Sequence, residues 1–425
     1  MTVPNETCTT RSPRRARKIA SKRYRTPLDG RYVILDLDDA LADDLFMAVM
    51  ADSKAMLVFA ASHGVTRLSH RLRRMTQLWR HQWWTRIDPN LTHLTGSKAC
   101  FYCFETGRGQ LTYETRRDYR QLSDTQRAEI LKECAPLRRA TIEYLTRRGW
   151  PADLVESRLE SNANAICRFT SRDESSQVPH RLLGAEALAI LFLGVRSRGI
   201  AVTNRHPDGD LVLAAHVDKV QVKIEPDAFF VLGDTGIALE VETGSAGKKA
   251  TTAKIRAYLA LFHLGIARII EQAGARMQQF CVLFYCATRT HAAMIEQILL
   301  GLSDPGTGYF RVVTQHAMGL AMTEHGEPIL RDMLARNAPV HTTAMPAPPA
   351  NADAATRAAY TRAHEQWAKD TVPVLTYLKD RISAPIFRCK IAKGFISVPL
   401  FDCEGATRER TARDFDPLDG SARRT

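Results

Sequence analysis

Residues 226–258 read PDAFFVLGDTGIALEVETGSAGKKATTAKIRAY. Two apolar runs, "AFFVL" and "GIALEVE", flank a Gly-Asp-Thr-Gly segment, which predicts a tight β-hairpin. Side chains alternate along a strand, so Ile237, Leu239 and Val241 face one way and Glu240 and Glu242 the other. Carboxylates in an otherwise apolar strand are costly to bury. Either the two glutamates face solvent and pair with Lys248 or Lys249, or they share a site. Asp227 follows Pro226, which cannot donate to a sheet ladder and marks an edge or a bulge. In the direct register Asp227 lies beside the Glu240 end of the neighbouring strand.

Three like charges at that separation repel unless a cation or protons lie among them. Oxygen ligands suit Mg²⁺ or Mn²⁺, and such an ion polarises a phosphodiester and generates hydroxide. The next segment, "KKATTAKIRAYLALF", reads as a helix with Ile255, Leu259, Phe262 and Ile266 as its apolar stripe. Lys254 and Tyr258, spaced i and i+4, flank that stripe and lean toward the sheet. An amine there stabilises charge on a scissile phosphate. The expected catalytic set is therefore Asp227, Glu240, Glu242, Lys254 and Tyr258, with Asp227 and Glu240 as metal ligands.

An apolar helix (180–199), a hairpin carrying Pro-Asp and an acidic strand, then helix and strand (279–287): this order resembles the PD-(D/E)XK nuclease superfamily. More narrowly, "PDAFF", "GIALEVETG" and "KIRAY" resemble the replication-relaxation family of plasmid and mobile-element proteins. The resemblance covers residues 36–115 and 180–316, and implies an N-terminal winged helix coupled to a nuclease-like domain. It places Asp227 and Glu240 at the superfamily's metal-binding acids. Glu242 falls where active nucleases usually keep a lysine, and Lys254 is the migrated basic residue. Glu186 matches an acid of the first helix.

Upstream, residues 36–87 read as three helices, over about 38–50, 53–62 and 66–83. Asp36 or Asp38 caps the first and Ser53 the second. Leu68, Leu72, Met75 and Trp79 form one stripe of the third, while Arg67, Arg71 and Arg74 form another. Apolar helices, a Gly64 turn and an Arg-rich helix form the pattern of a helix-turn-helix. The segment 98–114, "KACFYCFETGRGQLTYE", reads as a hairpin with "TGRG" at its tip, the wing of a winged helix. DNA contacts are expected from Arg67, His70, Arg71, Arg74 and Arg108. "LDLDDAL" (35–41) superficially resembles a phosphohydrolase nucleophile motif, but reads better as an acidic helix start.

The 425 residues carry a formal charge of +13. Residues 1–28 hold eight Lys/Arg against Glu6 alone. This surplus predicts a polyanionic partner, with Arg14, Arg15, Arg17 and Lys18 in an arm along phosphates. The nine cysteines are scattered and odd in number, fitting reduced thiols rather than a disulfide framework. No apolar run reaches the roughly 18 residues of a membrane span, so a cytoplasmic protein is expected.

The fold class expected is α+β multidomain: a winged helix-turn-helix, then a mixed-sheet α/β domain of PD-(D/E)XK nuclease-like type. The divisions are a basic arm (1–30), the winged helix (31–118), a helical connector (119–178) and the nuclease-like domain (179–336). A linker (337–352), a C-terminal helix with short strands (353–403) and a charged tail (404–425) follow. Pro136 is expected to kink or split the connector helix. The function expected is DNA binding in replication initiation, relaxation or transfer of a plasmid or mobile element. Its partners would be double-stranded DNA, other replication or mobilisation proteins, and a second copy as a homodimer. The alternatives are an active Mg²⁺- or Mn²⁺-dependent endonuclease, and a transcriptional regulator whose second domain is a dimerisation platform.

Overall fold

The structure is a computed structural model. It describes residues 34–64, 68–80, 84–87, 100–115, 119–170, 177–196, 199–217, 220–314, 352–369, 386–391 and 394–399. The first part runs α1 (Asp36–Met47), β1 (Met50–Asp52), α2 (Ser53–Ser62), α3 (Leu68–Arg80), β2 (Thr85–Ile87) and β3 (Phe101–Cys103). The three short strands form an antiparallel sheet in the order β1-β3-β2. The three expected helices are present: α1 lies two to three residues earlier than 38–50, α2 matches 53–62, and α3 falls within 66–83. The cap of α2 is Asp52, not Ser53: its carboxylate accepts from the amides of Lys54 and Ala55 at 3.1 and 2.8 Å. A carboxylate one residue earlier reaches the same free amides and adds a favourable charge to the helix dipole.

The hairpin expected over 98–114 does not form. β3 pairs with β1 and β2, and the residues after "TG" form α4 (Arg108–Thr115). The cause is Glu105, whose buried carboxylate accepts from the amides of Gly109 at 2.9 Å and Gln110 at 3.2 Å. Those amides open a helix rather than a second strand. Gly107, at φ +88, makes the turn.

Two connector helices follow, α5 (Asp124–Arg147) and α6 (Ala152–Thr170). α5 continues through Pro136 without a break. Proline removes the donor for the carbonyl of Lys132, but both residues are exposed, so the loss does not fall in a dry interior. Helix α7 (Val178–Arg196) is apolar all round, and fifteen of its residues are buried. By length and composition it is the one helix among the described residues able to cross a membrane, yet 78% of its apolar window is buried within the fold.

The main sheet has seven strands. They are β4 (Val202–Pro207), β7 (Ala228–Leu232), β8 (Thr235–Glu242), β9 (Gln279–Cys286), β10 (Phe310–Thr314), β11 (Ile386–Ile391) and β12 (Gly394–Pro399). β5 (Leu213–Val217) and β6 (Val220–Ile224) make a separate hairpin. The order β12-β11-β10-β9-β8-β7-β4 is mixed, with β8, β9 and β10 parallel neighbours. The crossovers contain α8 (Lys248–His263) with α9 (Ile266–Ala273), and α10 (Arg289–Leu300). Pro226 and Asp227 separate β6 from β7. Beyond α11 (Ala354–Lys369), the C-terminal strands join this same sheet through β10.

One apolar cluster joins the N-terminal helices to the sheet. It contains Phe46 of α1, Phe59 of α2, Phe192 of α7 and Phe230 of β7. Phe59 and Phe192 have centroids 6.0 Å apart, and Phe192 meets Phe230 edge-on at 5.6 Å. Helix α7 is thus packed on both sides, and the expected winged-helix and nuclease-like units share a core. The acidic start of α1 ties the other segments to it. Asp44, fully buried, accepts from Arg196 at 2.7 Å through both oxygens and lies 2.8 Å from His63. Asp43 accepts from Arg148 at 2.6 Å and from the Trp150 indole at 3.1 Å. The six described cysteines are free, and five are buried.

Candidate functional site

β8 lies between antiparallel β7 and parallel β9. Alternation sends Ile237, Leu239 and Val241 into the cluster shared with α7, and Ala238 into a second cluster under α8. Glu240 and Glu242 share that second face. They are 1% and 3% exposed, which removes the solvent-facing alternative. Lys248 and Lys249 are exposed instead.

From α8, the Lys254 ammonium donates to Glu240 Oε2 at 2.7 Å and to Glu242 Oε1 at 3.4 Å. The Tyr258 hydroxyl donates to Glu240 Oε1 at 2.5 Å. Both side chains lean toward the sheet as their helical spacing suggested. Burial pushes the Glu240 carboxyl up to about 7, against the pull of Lys254; Asp227 adds to the rise. Burial works against the Lys254 charge, but the Glu240 carboxylate outweighs it and holds the ammonium above its ordinary range. Burial and the same carboxylate keep the Tyr258 hydroxyl protonated.

Ala228 pairs with Leu239, so Asp227 falls at the Glu240 level of the hairpin. Its Oδ2 accepts from the amide of Val241 at 2.7 Å. The same oxygen lies 3.6 Å from Nε2 of His180, in the first turn of α7. His180 Nε2 donates to the carbonyl of Val241 at 3.0 Å. Burial disfavours its charge, yet Asp227 outweighs that and raises the imidazole above its ordinary value. Sequence reading missed His180. Its signal is a titratable side chain opening an otherwise apolar helix. Glu186, by contrast, accepts from the Tyr285 hydroxyl at 3.2 Å, among residues of the α7-facing cluster.

The acids do not form an open oxygen cage. The facing oxygens of Glu240 and Glu242 are bridged by an ammonium, and Asp227 is bonded to backbone and turned toward His180. Among the described residues, no group of three or more His, Cys, Asp or Glu is arranged to hold a metal ion. As arranged, the facing oxygens of Glu240 and Glu242 are taken up by the Lys254 ammonium.

Of the expected DNA contacts, Arg14, Arg15, Arg17, Lys18 and Arg67 lie outside the described residues. His70 and Arg71 are on α3, with side chains outside the described set. Arg74 is ion-paired: its Nε donates to both oxygens of Asp38, at 3.2 and 3.0 Å. Arg108 is not at a hairpin tip. It is 6% exposed, bonded to Asn164 at 2.7 Å and Glu160 at 2.8 Å, and its guanidinium lies over Tyr119. Arg73, on the same helix as Arg74, is exposed. No family model, curated protein or solved structure matches the chain.

Proposed function

We propose that the protein binds double-stranded DNA through a winged helix spanning α1 to β3, mounted on a domain of PD-(D/E)XK nuclease-like type that does not cut. We place it among proteins of plasmids or mobile elements that act in replication initiation, relaxation or transfer, as the resemblance to the replication-relaxation family implies. The observation that carries the reading is the topology of residues 36–103: helix, strand, helix, turn, basic helix, strand, strand, with sheet order β1-β3-β2. This is the arrangement in which the second helix of a helix-turn-helix is presented to the major groove. Supporting a non-cutting second domain, Lys254 already neutralises Glu240 and Glu242, and no lysine stands at position 242.

The test is a mobility shift on the element's own origin-region DNA, with Arg67, Arg71 and Arg73 replaced together by alanine. Wild-type protein should shift the duplex and the triple variant should lose most of that binding. Equal binding would sink the groove-reading helix. The second reading, a Mg²⁺- or Mn²⁺-dependent endonuclease, is favoured by one observation, the meeting of Asp227 and Glu240 at one level of the hairpin. Metal-dependent nicking of supercoiled plasmid, lost in Asp227→Ala, would establish it over the non-cutting reading.

A further inference from the structure

We propose that the outer face of α8, with the loop before it, is a second docking surface for the phosphate backbone of duplex DNA, apart from the helix-turn-helix. The inference rests on the DNA-binding reading above and adds a contact to it. Residues 243–270 contain five Lys/Arg (Lys248, Lys249, Lys254, Arg256 and Arg268) and no Asp or Glu. Lys254 is taken up by Glu240 and Glu242 and Arg268 by Glu271, so the exposed surplus that invites a polyanion is Lys248, Lys249 and Arg256.

The helix sorts these charges. At 100° per residue, Thr251, Ile255, Tyr258, Leu259 and Leu261 form the buried arc, and Lys254 points to the sheet. The opposite arc carries Lys249 and Arg256, about 20° apart on the helix and both exposed, with Thr252 and the small Ala253 and Ala260 beside them, while Lys248 is exposed in the first turn at the helix start. Lys249 and Arg256, seven residues apart, are separated by about 10 Å along the axis, roughly three base-pair steps of a duplex strand. Small side chains between the cations let a backbone approach closely.

Surroundings extend the face. Gly247, at the start of α8, offers no side-chain cap, so the first amides of the helix remain available to an anion. The neighbouring α10 begins with exposed Arg289. His291 of α10 reaches the carbonyl of Ala246 at 3.2 Å and joins the two helix starts. Both starts lie at the carboxyl ends of parallel β8 and β9, the edge at which open α/β sheets bind their ligands. His263, farther along α8, is paired with Asp304 at 2.8 Å and contributes no free charge.

The experiment measures the affinity of the full-length protein for a random-sequence duplex across a salt series. Wild type is compared with Lys248→Glu/Lys249→Glu/Arg256→Glu, with the neutral glutamine set, and with Lys132→Glu/Arg276→Glu/Arg357→Glu as a charge-matched control. The glutamate set should lose about tenfold or more in affinity at low salt. In both α8 sets the slope of log K against log salt should fall by about 2–3, as expected for about three lost phosphate contacts. The control set should keep the wild-type slope, and the thermal melt of the α8 variants should match wild type because the altered side chains are exposed. An unchanged slope in the α8 variants, with wild type still bound, overturns this surface and leaves the winged helix standing. Failure of wild type to bind duplex overturns both. Loss of binding to phosphatidylserine vesicles with unchanged DNA binding would reassign the face to an acidic membrane surface, against the proposal.

Discussion

Lys254 decides what the acidic strand can do. Glu240 and Glu242 were legible as a same-face pair because strand alternation is strict, and Lys254 and Tyr258 because i and i+4 share a helix side. What could not be read was which cation meets the acids, since that depends on how closely α8 packs on β8. The packing puts the ammonium 2.7 Å from Glu240. Removing it in Lys254→Met strands a buried carboxylate, and such losses run to about 3–5 kcal/mol. The lower end is expected here, because the Lys254 side chain is 36% exposed and water can enter. The pH dependence has a definite sign. The folded Glu240 titrates near 7 against an ordinary 4.5, so the folded state holds this proton more tightly than the unfolded one. Its protonated form contributes stability fully present below about 4.5 and lost as pH rises through about 7. The variant lacks the charge that restrains this rise. Its deficit relative to wild type should therefore be small near pH 5 and largest near pH 8, in urea melts at both. A deficit independent of pH would show that Lys254 acts by packing alone.

At the scale of elements, the sequence reading succeeded where a segment's apolar pattern determines its state, and failed where a single buried carboxylate does. β8 forms where expected and α7 within a few residues, whereas the helix expected to continue to about 270 breaks at Gly265, φ +83, into α8 and α9, which leaves Ile266 exposed rather than in the apolar stripe. "QLTYE" has β-prone residues, yet it lies in α4 because Glu105 takes the helix's first amides. β4 went unread because "VTNRHP" has no alternation; its burial runs from exposed to buried, and a register shift interrupts its pairing with β7. The acidic start of α1 was legible as a helix start but not as an ionic hub, since Arg196 is 152 residues away from Asp44 in sequence. Burial works to raise the Asp44 pKa, but Arg196 and His63 overcome it and hold the carboxyl below its ordinary range. A depressed folded pKa contributes stability that is present above the unfolded value, near 3.8, and lost as pH falls through the folded one. Asp44→Asn keeps the shape and removes the charge, leaving the Arg196 guanidinium without its principal anion. A loss of about 3–5 kcal/mol at neutral pH is expected. The gap to wild type should narrow on acidification, measured by denaturant midpoints from pH 7 downward. A midpoint within experimental error of wild type at neutral pH would show that the hub is dispensable.

For the molecule as a whole, the division into a winged helix, a connector and a nuclease-like domain follows composition but not cohesion. Pro- and Gly-rich stretches and charge runs mark places where a chain can be cut in sequence; they do not reveal which apolar faces meet. Here they meet across the expected boundary. Phe59 packs on Phe192, and Phe192 on Phe230, within one cluster. The connector joins it through Trp150, whose ring packs tilted against Phe46 at 4.6 Å and whose indole is bonded to Asp43. A helix as apolar as α7 has no solvent-compatible face to show if either neighbour leaves. Opening this junction would expose α2, α7 and β7 together, at about 25 cal/mol for each Å² of apolar surface. Partial unfolding of one unit is therefore disfavoured, and calorimetry should record a single transition spanning residues 34–314, with calorimetric and van't Hoff enthalpies in agreement. The excised segment 34–115 should fail to fold in isolation, because Phe59 and the buried Asp44 lose Phe192 and Arg196 at once. Two separated transitions, or a dispersed amide spectrum from the excised segment, would show the N-terminal part to be autonomous. The main sheet carries the shared cluster with α3 on one face and the second cluster with α8 on the other, so it fixes the two helices relative to each other. On the proposed reading, DNA touching both would be held in one geometry, with its bend or path set by the protein rather than by the duplex.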